Sequence, residues 1–120
     1  MKVSKIKDVL NAKLLCGQVI GDLEVESACG ADLMSDVLSF VKDNCVLLTG
    51  QTNPQVIKTA EMLDVSCIVF VRGKKPNESV CELARETGVV LLHTEETLFS
   101  ACGKLYQEGL KPSVRSNHNG

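Results

Sequence analysis

The sequence predicts a single α/β domain of three layers, in which helices cover both faces of a mainly parallel sheet of about five strands. Three observations lead to this prediction. The 120 residues suffice for one domain, and helix-like segments alternate with strand-like segments along the chain. Unbroken apolar runs at 45–48, 67–71 and 89–92 are typical of strands that are buried on both faces. Strands joined by crossover helices pair in parallel.

The N-terminal elements are short. Ser4 is predicted to cap a helix that ends near Asn11, because a hydroxyl precedes apolar residues at helical spacing. Strands are predicted at 14–16 and at 23–28, each followed by glycine. A tight, glycine-bounded segment joins these two strands, so an antiparallel hairpin is one way for them to pair.

The middle of the chain predicts a helix, a strand and a second helix. Asp32 is placed to cap a helix that runs to about Val41, with apolar residues recurring at helical spacing. The buried strand at 45–48 follows. Asn53 then reads as an N-cap, and Pro54 occupies the first helical position, where proline is favoured.

The last third repeats this order more clearly. The strand at 67–71 leads to a helix that opens at 76–77 and ends at Gly88. After the strand at 89–92, Thr94 is predicted to cap the final helix, with acidic residues at its positive end. We expect the domain to occupy residues 1–110 and residues 111–120 to form a flexible tail without apolar periodicity.

Composition and missing motifs exclude several classes of function. Thirteen basic and fifteen acidic residues give a net charge of −2, which disfavours a nucleic-acid binder. The aromatic fraction of 3% also disfavours base stacking and a flavin sandwich. Neither a G-x-G-x-x-G fingerprint nor a P-loop occurs. Without a signal peptide or a membrane-spanning apolar run, the chain is expected to be cytoplasmic.

A ligand edge is predicted where the parallel strands end, because open α/β sheets bind ligands beyond their carboxyl ends. The loops there bring glycine, hydroxyl, amide and basic groups next to helix N-termini, an arrangement that suits phosphate or carboxylate. Turn and capping chemistry accounts for the same residues without a ligand. The candidate ligand-binding residues are Thr49, Gly50, Thr52, Asn53, Arg72, Gly73, Lys74, His93 and Thr94.

His93 ends a buried strand and has two interpretations. It could act as a base or a phospho-acceptor in a small enzyme, or it could only hydrogen-bond to neighbouring backbone. No carboxylate, serine or cysteine partner can be assigned to it from spacing. The sequence therefore predicts no catalytic residues and a protein that is not an enzyme.

Six cysteines are spread along the chain without the close pairs that structural zinc and common iron–sulfur sites use, so no metal site is predicted. Cys29 and Cys102 stand apart, because both occur in the tripeptide Ala-Cys-Gly. Cys29 is also near a predicted helix start, where a thiolate would be favoured. These two residues support an alternative function, a redox or iron–sulfur accessory protein. Small-residue packing explains them equally well.

The stretch IVFVRGKKPNESVCELARETGVVLLHTEETLFSACGKLY resembles the DRTGG domain. A buried strand ends in an R-G turn, a proline opens a helix, E-T-G ends it, and the next strand leads to H-T-x-x-T. The resemblance is clearest over residues 40–110, and residues 1–110 as a whole resemble short stand-alone DRTGG proteins. It implies a fold similar to the N-terminal domain of HPr kinase/phosphorylase.

The resemblance also carries expectations about function. The family's T-G-G turn corresponds to residues 71–73, and its D-R pair is replaced near 49–50. Gly73 therefore carries over, with Thr94 and Thr97 as equivalents of the family's later threonines, and the resemblance adds Thr97 to the candidate ligand-binding residues. DRTGG domains occur beside CBS domains in regulated pyrophosphatases. A homodimeric regulatory or adaptor module is therefore implied, with an adenine nucleotide as ligand and a protein partner. Similar stand-alone proteins are associated with hydrogenase and electron-transfer components.

Overall fold

A computed structural model describes residues 1–17, 23–41 and 44–114. Helices and strands alternate through most of the chain, as the apolar patterning predicts. The helices are α1 (Val3–Val9), α2 (Met34–Phe40), α3 (Pro54–Met62), α4 (Glu78–Thr87) and α5 (Leu98–Gln107). The strands are β1 (Lys13–Cys16), β2 (Ser27–Gly30), β3 (Cys45–Thr49), β4 (Cys67–Phe70), β5 (Val90–His93) and β6 (Lys111–Pro112).

The strands form one six-stranded sheet in the order β1-β5-β4-β3-β2-β6. Strands β2 to β6 pair in parallel, and β1 joins the edge of β5 in antiparallel orientation. The predicted α/β fold with a mainly parallel sheet is confirmed, with one strand more than the five expected.

Each face of the sheet carries its own apolar core, which makes the fold three-layered. Helices α2, α3 and α4 pack on one face and α1 and α5 on the other. In β3, Cys45 and Leu47 face the first core, whereas Val46 and Leu48 face the second, and all four are fully buried. Burial on both faces explains why the sequence of this strand is an unbroken apolar run.

The predicted hairpin between the first two strands is wrong. Strand β1 lies at the edge beside β5, and β2 lies between β3 and β6, so three strands separate the two. Strand β2 also begins at Ser27, later than the expected residue 23. The preceding segment makes an isolated bridge between Lys2 and Glu24, and the Glu26 amide donates to the Asn44 carbonyl. Residues 18–22 of the predicted tight connection lie outside the described residues.

One predicted helix cap and one predicted helix start are confirmed. The Asn53 side chain accepts a hydrogen bond from the Gln55 amide, with Pro54 as the first residue of α3. The Asn77 side chain accepts from the Val80 amide at the start of α4. Helix α4 then ends at Gly88, whose φ of 81° is the left-handed conformation that glycine adopts without a steric penalty.

Three other predicted caps, at Ser4, Asp32 and Thr94, are wrong, because none of these residues is the N-cap of the helix that follows it. Helix α1 starts at Val3, before Ser4, and its N-cap makes no side-chain hydrogen bond. Leu33, and not Asp32, is the N-cap of α2. Thr97 caps α5 by accepting from the Ser100 amide, three residues later than the predicted cap at Thr94.

The flexible tail expected from residue 111 does not begin at that residue. Lys111 and Pro112 form β6, which pairs with Ser27 and Ala28 of β2, and the Ser113 amide donates to the Ala28 carbonyl at 2.8 Å. Residues 115–120 lie outside the described residues. Within the described ranges, the helices are all too short or too polar to cross a membrane.

Candidate functional site

Parallel pairing brings the carboxyl ends of four strands to one edge of the sheet. Thr49 at the end of β3 is in register with Phe70 of β4, which is in register with His93 of β5. Gly30, the last residue of β2, pairs with Leu48 of β3. The loops after these strands therefore meet at one edge, as the sequence predicts, and we call this region the carboxyl edge.

The turn after β3 is held by Asp32. The Asp32 Oδ1 accepts hydrogen bonds from the Thr49 hydroxyl at 3.1 Å and from the Gly50 amide at 2.7 Å. The Thr49 hydroxyl in turn accepts from the Gln51 amide at 3.1 Å. Thr49 is fully buried, so its hydroxyl is a structural part of the turn. The sequence predicts a helix cap at Asp32 and not this role. Its position two residues after the end of β2, where loops of neighbouring strands meet, is the feature that could have indicated it.

Arg72 lies across this turn. Its backbone is in the left-handed region, with φ of 58°, and its amide donates to the Glu96 carbonyl at 2.8 Å. A Cβ atom on Gly50 would lie 2.5 Å from an Arg72 guanidinium nitrogen, so the guanidinium rests directly on the glycine backbone. The side chain is exposed, which leaves the cation accessible from solvent.

Gly73 continues the same turn. Its φ is 68°, and its amide donates to the Thr94 carbonyl at 2.8 Å, which joins the loop after β4 to the loop after β5. The Glu95 carboxylate lies against this glycine, where a Cβ would come within 2.5 Å of a carboxylate oxygen. The sequence assigned Glu95 to a helix start; the structure places it beside the Arg72–Gly73 turn instead.

The remaining loop residues have distinct positions. Asn53 uses its Oδ1 to cap α3, and its Nδ2 lies 3.4 Å from the Gln51 Oε1. Thr52 is half-buried beside it. Lys74 is exposed, and its amide donates to the Val71 carbonyl. The first turn of the nine-residue helix α3 therefore opens next to the Gly50 turn.

The hydroxyls of the two later threonines are engaged within the protein. Thr94 is buried and donates to the Leu10 carbonyl at 2.7 Å, while its oxygen accepts from the Glu96 amide at 3.2 Å. Thr97 is occupied as the cap of α5. The hydroxyls of both residues therefore stabilise the loop after β5 through hydrogen bonds within the protein.

His93 sits at the end of β5 with its ring almost fully buried. Its Nδ1 is buried and has no hydrogen-bond partner among the described residues. Burial lowers the pKa of the imidazole, and the nearby Lys75 and Lys13 cations lower it further, whereas Glu95 opposes them. The lowered pKa favours the neutral imidazole. Its Nδ1 is then a buried polar atom that no described residue satisfies.

The two singled-out cysteines do not form a reactive pair. Burial raises the pKa of the Cys29 thiol, and the neighbouring Cys102 raises it further, so the thiolate expected at Cys29 is disfavoured. Burial also raises the pKa of the Cys102 thiol. Cys29 packs toward the α2–α4 core, and Cys102 toward the α1–α5 core. The structure describes all six cysteines, and none of them forms a disulfide.

An iron–sulfur cluster does not fit these side chains. Such clusters are held by four thiolates or by thiolates with histidines. In the part of the chain that the structure describes, no group of three or more histidine, cysteine, aspartate or glutamate side chains is placed to hold a metal ion. The redox alternative is therefore not supported.

Comparison with known proteins identifies the family. A profile of the DRTGG domain matches residues 5–107. The chain belongs to the DRTGG domain family. No curated protein matches this DRTGG chain.

A solved structure has a similar fold. It contains the CBS and DRTGG domains of the regulatory region of a Clostridium perfringens pyrophosphatase, complexed with its activator diadenosine tetraphosphate. The TM-score is 0.68 at 16% identity, and the match covers 98% of the present chain. The chain spans about half of that protein, 51% of its length. At this identity, the likeness establishes the fold.

The carboxyl edge of this DRTGG domain exposes two cations beside its glycine turns. Arg72 and Lys74 are exposed there, the Asp32 carboxylate accepts from the Gly50 amide, and the Glu95 carboxylate lies against Gly73. Such an arrangement can hold an anion in a defined orientation, because a guanidinium presents several N–H groups in one plane.

Proposed function

We propose that this DRTGG domain is a non-catalytic regulatory module that binds a small anionic ligand, specifically an adenine nucleotide, at the carboxyl edge. The observation that carries the proposal is the Arg72 guanidinium resting on Gly50, next to the first turn of α3. A cation beside a helix N-terminus is a favourable place for a phosphate group.

The backbone of Arg72 supports this proposal. A non-glycine residue in the left-handed region costs about 1–3 kcal/mol, and such residues are concentrated at ligand-binding and switch positions. Here two backbone hydrogen bonds hold the turn, from Arg72 to Glu96 and from Gly73 to Thr94. The strained conformation therefore places a long cationic side chain over a glycine that leaves room for it.

His93 supplies a second polar group at the same edge. Its buried Nδ1 has no partner in the described part of the chain, and a buried polar atom is usually satisfied by a protein group, water or ligand. The lowered pKa keeps the ring neutral in the free protein. An incoming phosphate would favour the protonated ring, so we expect binding to be coupled to proton uptake.

The choice of an adenine nucleotide rests on the neighbouring structure. That pyrophosphatase region contains a DRTGG domain and is complexed with diadenosine tetraphosphate as its activator. The ligand class is carried from that protein to the present chain as part of the proposal.

A route from the ligand to a partner is also proposed. The segment 94–97 contacts the Arg72–Gly73 turn through two backbone hydrogen bonds. Its Glu96 side chain bonds the Ser100 hydroxyl and the Lys104 ammonium of α5, the latter at 2.9 Å. A ligand that repositions Arg72 would therefore act on the start of α5, and we propose that this helix relays the regulatory signal in a homodimer or to a protein partner.

The test is a thermal denaturation series with ATP, ADP, AMP, diadenosine tetraphosphate, adenosine and inorganic phosphate. A ligand at 100 times its dissociation constant stabilises the folded state by about 2.7 kcal/mol, which raises the melting temperature of a domain of this size by about 10 °C. We expect the phosphorylated adenosines to do so and adenosine itself to have little effect.

Arg72→Ala and Arg85→Ala form a matched pair for this test. Both remove one exposed positive charge, but Arg85 lies in the last turn of α4, where it pairs with Glu78. The proposal requires that Arg72→Ala abolish the nucleotide-dependent stabilisation and that Arg85→Ala retain it. Equal stabilisation in both variants, or none by any phosphate compound in the wild type, would show that the assignment is wrong.

A further inference from the structure

Helix α5 carries a second apolar face that the protomer leaves uncovered. Its inner face packs on the sheet through Ala101 and Leu105, which are fully buried. On the outer face, Phe99 is 89% exposed and Tyr106 is 71% exposed. Monomeric domains seldom leave two aromatic side chains so open on one helix.

The outer residues form one continuous strip. Phe99, Cys102, Gly103 and Tyr106 recur at intervals of three, one and three, which places them on one side of a helix. Cys102 lies at the edge of this strip, where its half-buried thiol turns toward Gly30 of β2. With Leu98 they line a shallow apolar groove. A second groove, between α5 and β6, begins at Cys102 and Tyr106 and extends to Pro112. We call the strip of four residues the outer face of α5.

The order of these residues is symmetric. Two aromatic residues stand at the ends and two small residues at the centre, equally spaced about the point between Cys102 and Gly103. If two copies of this helix cross in antiparallel orientation about a two-fold axis at that point, Phe99 of one copy meets the partner's Tyr106. An isologous contact has this self-complementary form, in which residue i meets j and j meets i.

Gly103 gives independent support for a close crossing. A glycine inside a helix costs about 1 kcal/mol relative to alanine. Nothing in the described protomer lies within 4 Å of the position that a Cβ on Gly103 would occupy, so packing inside the protomer does not require a glycine. A second helix that approaches this backbone closely would require it.

The charged side chains beside the strip are paired within the protomer, which favours an uncharged partner surface. The Glu96 carboxylate is paired with the Lys104 ammonium at 2.9 Å, and Glu108 with Lys5 at 3.5 Å. Pairs within the protomer thus neutralise the charged residues at both ends of the helix. An apolar, uncharged surface such as a second copy of the same face complements this strip.

The apolar area that the outer face of α5 can bury limits the strength of a dimer. An aromatic side chain buries about 150–250 Å² when fully enclosed, so the four exposed aromatics of a dimer supply on the order of 600 Å². A standard interface buries about 1,200–2,000 Å² in total, and the groove beside β6 extends the apolar surface toward that range. We therefore expect a weak dimer whose population depends on protein concentration.

We propose that the outer face of α5 is a homodimer interface, in which two copies of the helix cross in antiparallel orientation at Cys102 and Gly103. This inference specifies the surface through which the regulatory module assembles. Its test reads the state of association, whereas the test of the proposed function reads nucleotide-dependent stabilisation, so failure of one is distinguishable from failure of the other.

The test is sedimentation equilibrium of the full chain over a wide concentration range, with Phe99→Lys and Met62→Lys as a matched pair. Met62 is 69% exposed on α3, on the opposite face of the sheet. We expect a concentration-dependent dimer in the wild type and in Met62→Lys, and a monomer in Phe99→Lys with an unchanged far-UV spectrum. A wild type that stays monomeric at millimolar concentration would overturn the proposal, as would a dimer that Phe99→Lys leaves intact.

Gly103→Ala tests the crossing itself. In a monomer this change should raise the melting temperature, because alanine is the better helix former. At the crossing, the added methyl groups should hold the helices apart and weaken dimerisation at least tenfold. A variant that dimerises as tightly as the wild type would refute the close crossing. The nucleotide-dependent thermal shift of Phe99→Lys, measured in parallel, distinguishes failure of the interface from failure of the ligand site.

Discussion

Replacing Gly50 with alanine places a methyl group against the guanidinium of Arg72. The new Cβ would lie 2.5 Å from a guanidinium nitrogen, whereas ordinary contact begins at about 3.4 Å. The guanidinium must therefore retreat by about 1 Å. Because Arg72 is long and exposed, the retreat takes place in solvent. Gly50 itself lies outside the left-handed region, so alanine fits its backbone.

Stability and ligand binding should respond differently to this change. The free energy of unfolding should stay within about 1 kcal/mol of the wild type, since alanine in place of glycine restricts the unfolded chain. Loss of one hydrogen bond to a charged group costs about 1.5–3 kcal/mol, which weakens nucleotide binding roughly 10- to 150-fold. Urea denaturation measures the first quantity, and isothermal titration calorimetry with the best nucleotide measures the second.

A double-mutant cycle with Arg72→Ala provides the control. If Gly50→Ala acts only by displacing the guanidinium, the double variant should bind no more weakly than Arg72→Ala alone. Additive losses would mean that Gly50 affects the ligand by another route. Wild-type affinity in Gly50→Ala would refute the assigned position of Arg72.

Three further predictions follow from buried polar and small groups. The pKa of His93 is lowered in the folded state, so the neutral ring stabilises the fold and this contribution should fall as the pH drops through about 6.5, the pKa of the unfolded chain. Urea denaturation at pH 5 and pH 7.5 should therefore show a smaller change in the free energy of unfolding for His93→Gln than for the wild type. Asp32→Ala should lower the free energy of unfolding by about 1–3 kcal/mol, because the buried Thr49 hydroxyl loses its acceptor, and an unchanged midpoint would contradict that role. Burial raises the pKa of Cys67 to about 12, so a thiol reagent at pH 8 should leave it unmodified until the protein unfolds; rapid modification of the folded protein would show that the core opens.

The parts of the fold that follow from local pattern could be predicted from the sequence. Burial on both faces makes β3, β4 and β5 apolar runs. Asparagine marks the start of α3 and of α4, and glycine marks the end of α4. The pairing of β1 could not be predicted, because its partner β5 lies more than seventy residues away and a short apolar segment does not specify its neighbour.

The candidate site shows the same division between local and long-range information. The sequence places Arg72, Gly50 and His93 at one edge because parallel strands share a direction. It misassigns Asp32 and Thr94 as helix caps, since a cap and a residue that binds a neighbouring loop have the same local pattern. Asp32 bonds across to the turn after β3, and Thr94 to the carbonyl of Leu10, contacts that arise only in the folded chain.

The most direct test of ligand binding at the carboxyl edge is a ¹⁵N-resolved NMR titration of the full chain with an adenine nucleotide. The amides of Gly50, Arg72 and Gly73 lie in the two turns that hold the proposed anion. We expect these three resonances and that of His93 to shift most and to saturate together. Absence of saturable shifts, or shifts confined to α5 and the opposite edge of the sheet, would contradict the proposed function.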